Sequence, residues 1–398
     1  MAEKYDLIIL GGGCAGLSLA RELALLKDKK LKVLLLESRK KYENDRTWCF
    51  WEPPEKAAKG KQIQTHENVT HQWSMLRISS NQESIFFPCK SRPYQMLASD
   101  QFYQAALKMI YASSQIEVEL GAIVEDVAHH FQDHWEVKTS IGVFQSSFLV
   151  DTRPDSVNPN TNTILWQSFY GYEIECVDAI FDSSIADLMD FLPDSDRIAF
   201  TYFLPISATR ALIEFTVFAP SPFTATDLAP YLESAVKERV GGAAFSILRS
   251  ESACLPMGLD VPPSVADASY AKVGVMAGSA RASTGYAFQR IQQWARLCAA
   301  SLIQSEVLIN QPSDPWIVRK MDLLFLKVLR SDPANAPSLF LSLFKNVSPS
   351  IAIRFLSGEA RTLDYLSIIR SLPAVPFIRE LLRPILPKEK EVRQKVSL

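Results

Sequence analysis

Residues 5–10 read Tyr-Asp-Leu-Ile-Ile-Leu, residues 11–16 read Gly-Gly-Gly-Cys-Ala-Gly, residues 17–26 read LSLARELALL, and residues 32–37 read KVLLLE. The first run is short, apolar and rich in strand formers, while the leucines and alanines after Gly16 recur at helical spacing. Strand, tight turn and helix are followed by a second strand over 32–36. The segment therefore predicts a parallel βαβ unit with a right-handed crossover. Gly11-x-Gly13-x-x-Gly16 ends the first strand and opens the helix, and Glu37 closes the second strand 21 residues beyond Gly16. That is the context of a dinucleotide-binding fingerprint. Gly11 permits the sharp turn, Gly13 leaves room for a pyrophosphate, and Gly16 lets helix and strand pack closely. The helix N-terminus favours the phosphate charge. Glu37 is the expected partner of the adenosine ribose hydroxyls.

The rest of the composition narrows the class. The chain has 398 residues, 47% of them apolar, with 42 Lys+Arg against 44 Asp+Glu. About two to four domains and a large core follow, which excludes a disordered chain and a small disulfide-stapled module. A net charge of −2 supplies no field for gripping a polyanion, so nucleic-acid binding is not expected. The six cysteines (14, 49, 89, 176, 254, 298) stand singly, without C-x-x-C or zinc-ligand spacing, and read as reduced thiols of a cytoplasmic protein. His129, His130 and His134 flank a predicted turn and read as solvated residues rather than metal ligands. The start of the chain lacks the pattern of a secretory signal. No run approaches the ~18 apolar residues of a spanning helix, so membrane contact is expected to be peripheral.

Further along, 94–111 has helical spacing with Ser99 or Asp100 as caps, and IEVEL, HWEVKT and GVFQSSFLV over 116–150 alternate in hairpin fashion. The turn-rich stretch 155–163 predicts a boundary. Aromatic-rich strand candidates over 164–218 predict a second, sheet-based domain. KVGVMAG (272–278) then starts another strand-to-glycine-to-helix junction, with Gly278, Thr284 and Gly285 before a helix that begins near Phe288. An N-terminal fingerprint with such a distant second junction is similar to the FAD-containing hydroxylase and glutathione-reductase superfamily. There the second junction meets the flavin, with the helix dipole toward the ring edge. Ser279 stands where hydroxylases usually carry Asp, which counts against a hydroxylase. From 317 onward the pattern is helical and basic, 14 Lys/Arg against 7 Asp/Glu. Its charges alternate with Leu, Ile and Phe, as on a helix lying against anionic lipid. The expected fold is α/β. A Rossmann-like FAD-binding domain, discontinuous over 1–154 and 270–310, carries an inserted mixed β-sheet substrate domain over 155–269 and a helical C-terminal part over 311–398.

Several motifs resemble, in order, those of the FAD-containing lycopene cyclases of carotenoid biosynthesis, of the bacterial β-cyclase type. They are Asp45-Arg46-Thr47-Trp48 with the following Cys-Phe-Trp-Glu52; Gln167-Ser-Phe169-Tyr-Gly171-Tyr-Glu173; Leu188-Met189-Asp190; Tyr202-Phe-Leu-Pro205-Ile-Ser207; Leu212-Ile-Glu214-Phe-Thr216; Leu255-Pro256-Met257; Thr284-Gly285-Tyr286; and Arg354-Phe355-Leu356-Ser-Gly358. Each is weak alone, but their order is specific. The resemblance implies conversion of lycopene to β-carotene by an isomerase-type reaction, with a reduced FAD and NAD(P)H as reductant. It places Arg46 with the cofactor-binding residues.

That reaction needs a proton delivered to a terminal alkene, ring closure through a tertiary cation, and loss of a different proton. An alkene is so weak a base that the acid must be a neutral carboxylic acid in a dry pocket. Glu214, inside the apolar strand ALIEFTVF, is the first candidate. A strand places Leu212, Glu214 and Thr216 on one face. Asp190 and Glu173 lie in family motifs and are second candidates for base or positioning. Trp166, Phe169, Tyr170, Tyr172, Phe200, Tyr202, Phe203, Phe215 and Phe218 are expected to wall the tunnel and to stabilise passing positive charge. The rival reading is a redox flavoenzyme, a monooxygenase or prenyl reductase on an apolar substrate. A carotenoid-carrying protein is a third.

Overall fold

The computed structural model describes residues 3–26, 31–51, 69–126, 128–131, 133–154, 161–194, 196–259 and 267–383. Glu52, most of the 155–163 stretch and the last basic residues, 384–398, lie outside them.

The strand Glu3–Leu10 sits between Val33–Glu37 and Gly142–Asp151, parallel to both, and Ile116–Leu120 extends the sheet beyond Val33–Glu37. Layers cover both faces, which is why Leu7, Ile8, Ile9 and Leu10 are all fully buried and the strand reads as a continuous apolar run. One face is packed by the helices Cys14–Leu25, Ser99–Tyr111 and Phe288–Ser305. On the other, Ile8, Leu10, Leu34 and Leu36 share a core with Trp135, Val137 and Leu149 of the hairpin Trp135–Thr139/Gly142–Asp151, which continues the same sheet. The short strand Tyr270–Lys272 joins the same sheet in parallel at the end of Gly142–Asp151. The chain thus returns to the nucleotide-binding sheet after its long excursion.

A second, seven-stranded sheet runs in the order Phe245–Met257, Leu165–Cys176, Arg210–Ala219, Ile198–Pro205, Ile185–Leu192, Met75–Ser79, Ser84–Pro88. All its pairings are antiparallel except Ile185–Leu192 with Met75–Ser79. Two of its strands therefore come from residues 75–88, ahead of the turn-rich stretch at 155–163. One face is covered by the helix Ala225–Val240, started by a Thr224/Asp227 capping box and ended at Gly241 in the left-handed conformation. C-terminal helices pack against the opposite side in a core shared with Leu76, Phe87, Phe191 and Phe218.

Three segments differ from the local structure their sequence predicts. IEVEL is not part of a hairpin: it pairs in parallel with Val33–Glu37, because the crossover helix Ser99–Tyr111 delivers it in the same direction. The helix expected over 94–111 begins only at Ser99, since Tyr94–Ala98 is a strand between Thr47–Trp51 and His71–Trp73. Neither Ser99 nor Asp100 caps the helix; Ser99 Oγ instead accepts from the Asp45 and Arg46 amides at 2.9 and 3.0 Å. The strand expected over 272–278 stops at Lys272. Gly274 and Gly278, with φ of +140° and +83°, bend the chain into a short 3₁₀ turn, Val275–Ala277.

Candidate active site

A cavity of about 690 Å³ runs from the glycine fingerprint through the second junction to the face of the seven-stranded sheet. At one end it is bordered by Gly11, Gly13, Glu37 and Arg46, and past them by Thr284 and Gly285. Gly11 has φ +92°. A Cβ on Gly16 would collide with the Gly11 carbonyl oxygen, so Gly16 permits close packing from behind the cavity rather than lining it. A Cβ on Gly13 would meet nothing within 4 Å, which leaves an open approach to the backbone at the helix N-terminus. The Glu37 carboxylate accepts from the Gly12 amide at 2.7 Å and the Arg39 amide at 2.8 Å. Burial opposes its charge, but the Arg39 guanidinium and these amides outweigh that and hold it below the usual carboxylate range. Arg46 is exposed at the mouth, with Nη1 donating to the Asp45 carbonyl at 2.9 Å.

The second junction closes the middle of the cavity. Gly278 ends the turn Val275–Ala277 without itself lining the space. Ser279 is fully buried, and its Oγ accepts from the Gly274 amide at 3.1 Å. The helix begins at Phe288, whose ring stacks at 5.3 Å on Trp48 and 5.1 Å on Phe50. Beside Gly285, Gln167 Oε1 is buried and has no partner among the described residues. It is an acceptor left without a donor at the cavity wall.

Strand alternation sets the far wall. Gln167 and Phe169, Phe200 and Tyr202, Glu214, Thr216 and Phe218, and Glu251, Ala253 and Leu255 all line the cavity at every second position of their strands. The same alternation divides the aromatic set expected of the tunnel. Phe169, Phe200, Tyr202 and Phe218 face the cavity, while Tyr170, Tyr172, Phe203 and Phe215 pack in the core of the covering helix. Trp166 is buried and likewise absent from the lining. Phe340, Phe344 and Leu356 of the C-terminal helices close the cavity's end.

Glu214 is 8% exposed. In register it lies opposite Gly171 on one side and Tyr202 on the other, and Gly171 is in turn opposite Glu251. Glycine is needed there: a Cβ would stand 2.6 Å from Glu214 Cγ. Across that gap Glu214 and Glu251 both face the cavity, close enough for each carboxyl to feel the other. Burial, then the adjacent Glu251, push Glu214 well above the usual carboxyl range, with Arg249 pulling weakly the other way. Glu251 Oε2 accepts from Thr47 Oγ1 at 2.8 Å and from Arg249 Nη1. Nearby, the Tyr94 hydroxyl meets those of Tyr202 and Tyr286 at 2.8 and 3.3 Å.

Neither Glu173 nor Asp190 lines the cavity. Glu173 is 1% exposed and accepts from Arg210 Nε and Arg249 Nε, both at 2.5 Å. Asp190 accepts from Ser79 Oγ at 2.7 Å and Arg239 Nη2 at 2.5 Å. The strand Ile185–Leu192 gives the cavity Leu188 and Met189 instead. Glu251 was missed in sequence. Its own part of the strand, Arg249-Ser250-Glu251-Ser252, is polar, and the nearby Leu255-Pro256-Met257 is the one signal that could have pointed to it. His129, His130 and His134 do not line the cavity, and His130 stacks on Trp135 at 4.3 Å.

A model of the family described as "Lycopene cyclase protein" matches residues 6–382. No curated protein matches the chain. Among solved structures, a geranylgeranyl bacteriochlorophyll reductase-like protein from Thermoplasma acidophilum aligns with TM-score 0.62 at 13% identity, over 96% of this chain and 98% of its own. A p-nitrophenol 4-monooxygenase from Pseudomonas putida aligns with TM-score 0.61 at 12% identity, over 94% and 98%. A flavin-dependent monooxygenase solved with FAD and substrate aligns with TM-score 0.60 at 11% identity, over 92% of this chain and 71% of its own. These likenesses are of fold, a Rossmann-like α/β architecture with a second sheet.

Proposed function

The chain belongs to the lycopene cyclase family, and on that premise we propose that it converts lycopene to β-carotene by proton transfer without net redox change. The observation that carries this reading is Glu214: a buried carboxyl whose surroundings favour its neutral form, facing the cavity that continues to the glycine fingerprint. An alkene is a very weak base, so near neutral pH its protonation calls for an acid that a dry pocket keeps in its neutral form.

We place FAD at Gly11, Gly13, Glu37, Arg46, Thr284 and Gly285, with Gly16 and Gly278 shaping the backbone around it. The open approach at Gly13 and the unpartnered Gln167 Oε1 fit such a group. When bound in its reduced form, with NAD(P)H as reductant, it supplies negative charge beside a carbocation. Glu214 delivers the proton to the terminal alkene. Phe169, Phe200 and Phe218 hold the polyene and turn ring faces to the developing charge. The Tyr94, Tyr202 and Tyr286 hydroxyls bond one another rather than substrate, which keeps the wall free of competing bases.

A substrate dissolved in lipid has to be collected there, and we propose peripheral membrane contact through the C-terminal helices. Ala374–Leu382 has no buried residue; Val375, Ile378 and Leu381 are exposed, with Arg379 and Arg383 alongside. No helix among the described residues is long and apolar enough to cross a membrane.

Expression in a lycopene-accumulating bacterial host followed by pigment chromatography tests the reading. β-Carotene is expected. Unchanged lycopene, or an oxygenated or more saturated product, contradicts it.

A further inference from the structure

The reaction needs a base as well as an acid, and the residues nearest Glu214 supply one. Glu251 faces the same cavity, one strand beyond Gly171. Its Oε2 receives two donors, Thr47 Oγ1 and Arg249 Nη1, an arrangement that suits a carboxylate, which accepts only. Thr47 is itself held by Arg249 Nη2 at 2.6 Å. Arg249 reaches on through Nε to Glu173, whose other oxygen is bound by Arg210. Among the described residues no cation bonds Glu214, and Arg249 acts on it only as a weak charge. The two carboxyls therefore sit in unequal surroundings, one bonded by a hydroxyl and a guanidinium and the other buried and pushed toward its neutral form, and close like charges disfavour ionising both.

We propose that Glu251 is the base that takes the ring proton, and that Glu214 and Glu251 work as a pair sharing one proton, with Arg249 as a positioning residue for Glu251. The inference rests on the cyclase reading above. In the step, the Glu214 O–H bond breaks as its proton forms a C–H bond on the terminal alkene. The neighbouring double bond closes the ring onto the resulting cation. The ring C–H bond adjacent to the new cationic carbon then breaks toward Glu251, and its electron pair becomes the ring double bond. Glu214 ends charged and Glu251 neutral, and once product leaves the pair re-equilibrates its one proton with water, which restores the start. No oxidant, reductant or external proton is consumed.

The groups facing the pair are Arg249 on Glu251's own strand, Glu173 on Leu165–Cys176, Tyr202 on Ile198–Pro205, Thr47 and Cys49 on Thr47–Trp51, and Tyr94 on Tyr94–Ala98. None of the others places a carboxylate in the cavity. Because β, ε and γ rings differ only in which proton leaves the shared cation, product identity reports on the base directly.

The test is E251Q in the FAD-loaded protein, assayed with lycopene for rate, ring type and pH dependence. Expected are at least a tenfold loss of β-ring formation, ε or γ rings among the residual product, and an alkaline limb moved to lower pH, since removing the Glu251 charge makes Glu214 easier to ionise. β rings alone with an unshifted limb would overturn the inference. Should E251Q fail to retain flavin, E251D decides: a slowed, still β-selective reaction is expected, and the wild-type rate overturns it. If the wild-type protein forms no ring at all, the cyclase reading itself fails, a separate result.

Discussion

Glu214 keeps its proton because leaving it charged in the cavity is costly, first through burial and then through the adjacent Glu251. Its folded value lies above the roughly 4.3 of an unfolded glutamate. The native state thus binds the proton more tightly, so this contribution to stability is full below the ordinary carboxyl value and is lost as pH rises through the raised folded one. Glu214→Gln keeps a neutral side chain beside Glu251. Calorimetry is expected to show the variant gaining stability over wild type as pH rises above the carboxyl range, with no difference in acid, while cyclisation falls by at least about 10²-fold. Equal midpoints at every pH contradict the buried neutral acid. At Gly13 the converse holds: the residue matters to what binds, not to the fold. Gly13→Val is expected to leave stability within about 1 kcal/mol and to abolish flavin absorbance; full occupancy contradicts the fingerprint. Glu214 and the glycines were readable because each breaks a local pattern. Glu251 was not, since Arg249, Ser250 and Ser252 make it look like one more polar strand residue and its partner is brought by another strand.

Among the elements, the seven-stranded sheet depends on one small residue. Gly171 separates the strands carrying Glu214 and Glu251, and a methyl there stands 2.6 Å from Glu214 Cγ. Gly171→Ala is expected to retain FAD and a native circular dichroism spectrum but to lose cyclisation about as fully as Glu214→Gln; normal turnover contradicts the placement of the acid. The strands of this sheet were visible as aromatic-rich runs. Which aromatics face the cavity follows from period two, yet both faces of Leu165–Cys176 carry large rings, so composition alone did not separate wall from outer core. The same limit hid Tyr94–Ala98, all five residues of which are buried. A short apolar run reads equally well as strand or as the start of the helix that follows it.

Over the whole molecule, the two sheets and the C-terminal helices meet at the cavity, and a buried ion pair fixes the third of these to the second junction. Arg281 Nε and Nη2 each donate to Asp322 at 3.0 Å, both residues about 3% exposed, and Arg281 Nη1 donates to the Phe355 carbonyl. Arg281→Met is expected to cost about 3–5 kcal/mol by stranding the Asp322 charge, with Arg281→Met/Asp322→Leu recovering much of it. Equal denaturation midpoints for the single variant and wild type contradict this. Contacts such as 281 to 322, or 75–88 joining strands after 165, are long-range products of packing and leave no local trace in sequence. The most direct measurement is turnover of lycopene by purified, reduced, FAD-loaded protein in D₂O with NAD(P)H followed in parallel. Expected is β-carotene with one deuterium fixed per ring formed and no NAD(P)H used in proportion to product. One NAD(P)H oxidised per product, oxygen incorporated, or ring formation without deuterium would contradict acid-initiated, non-redox cyclisation.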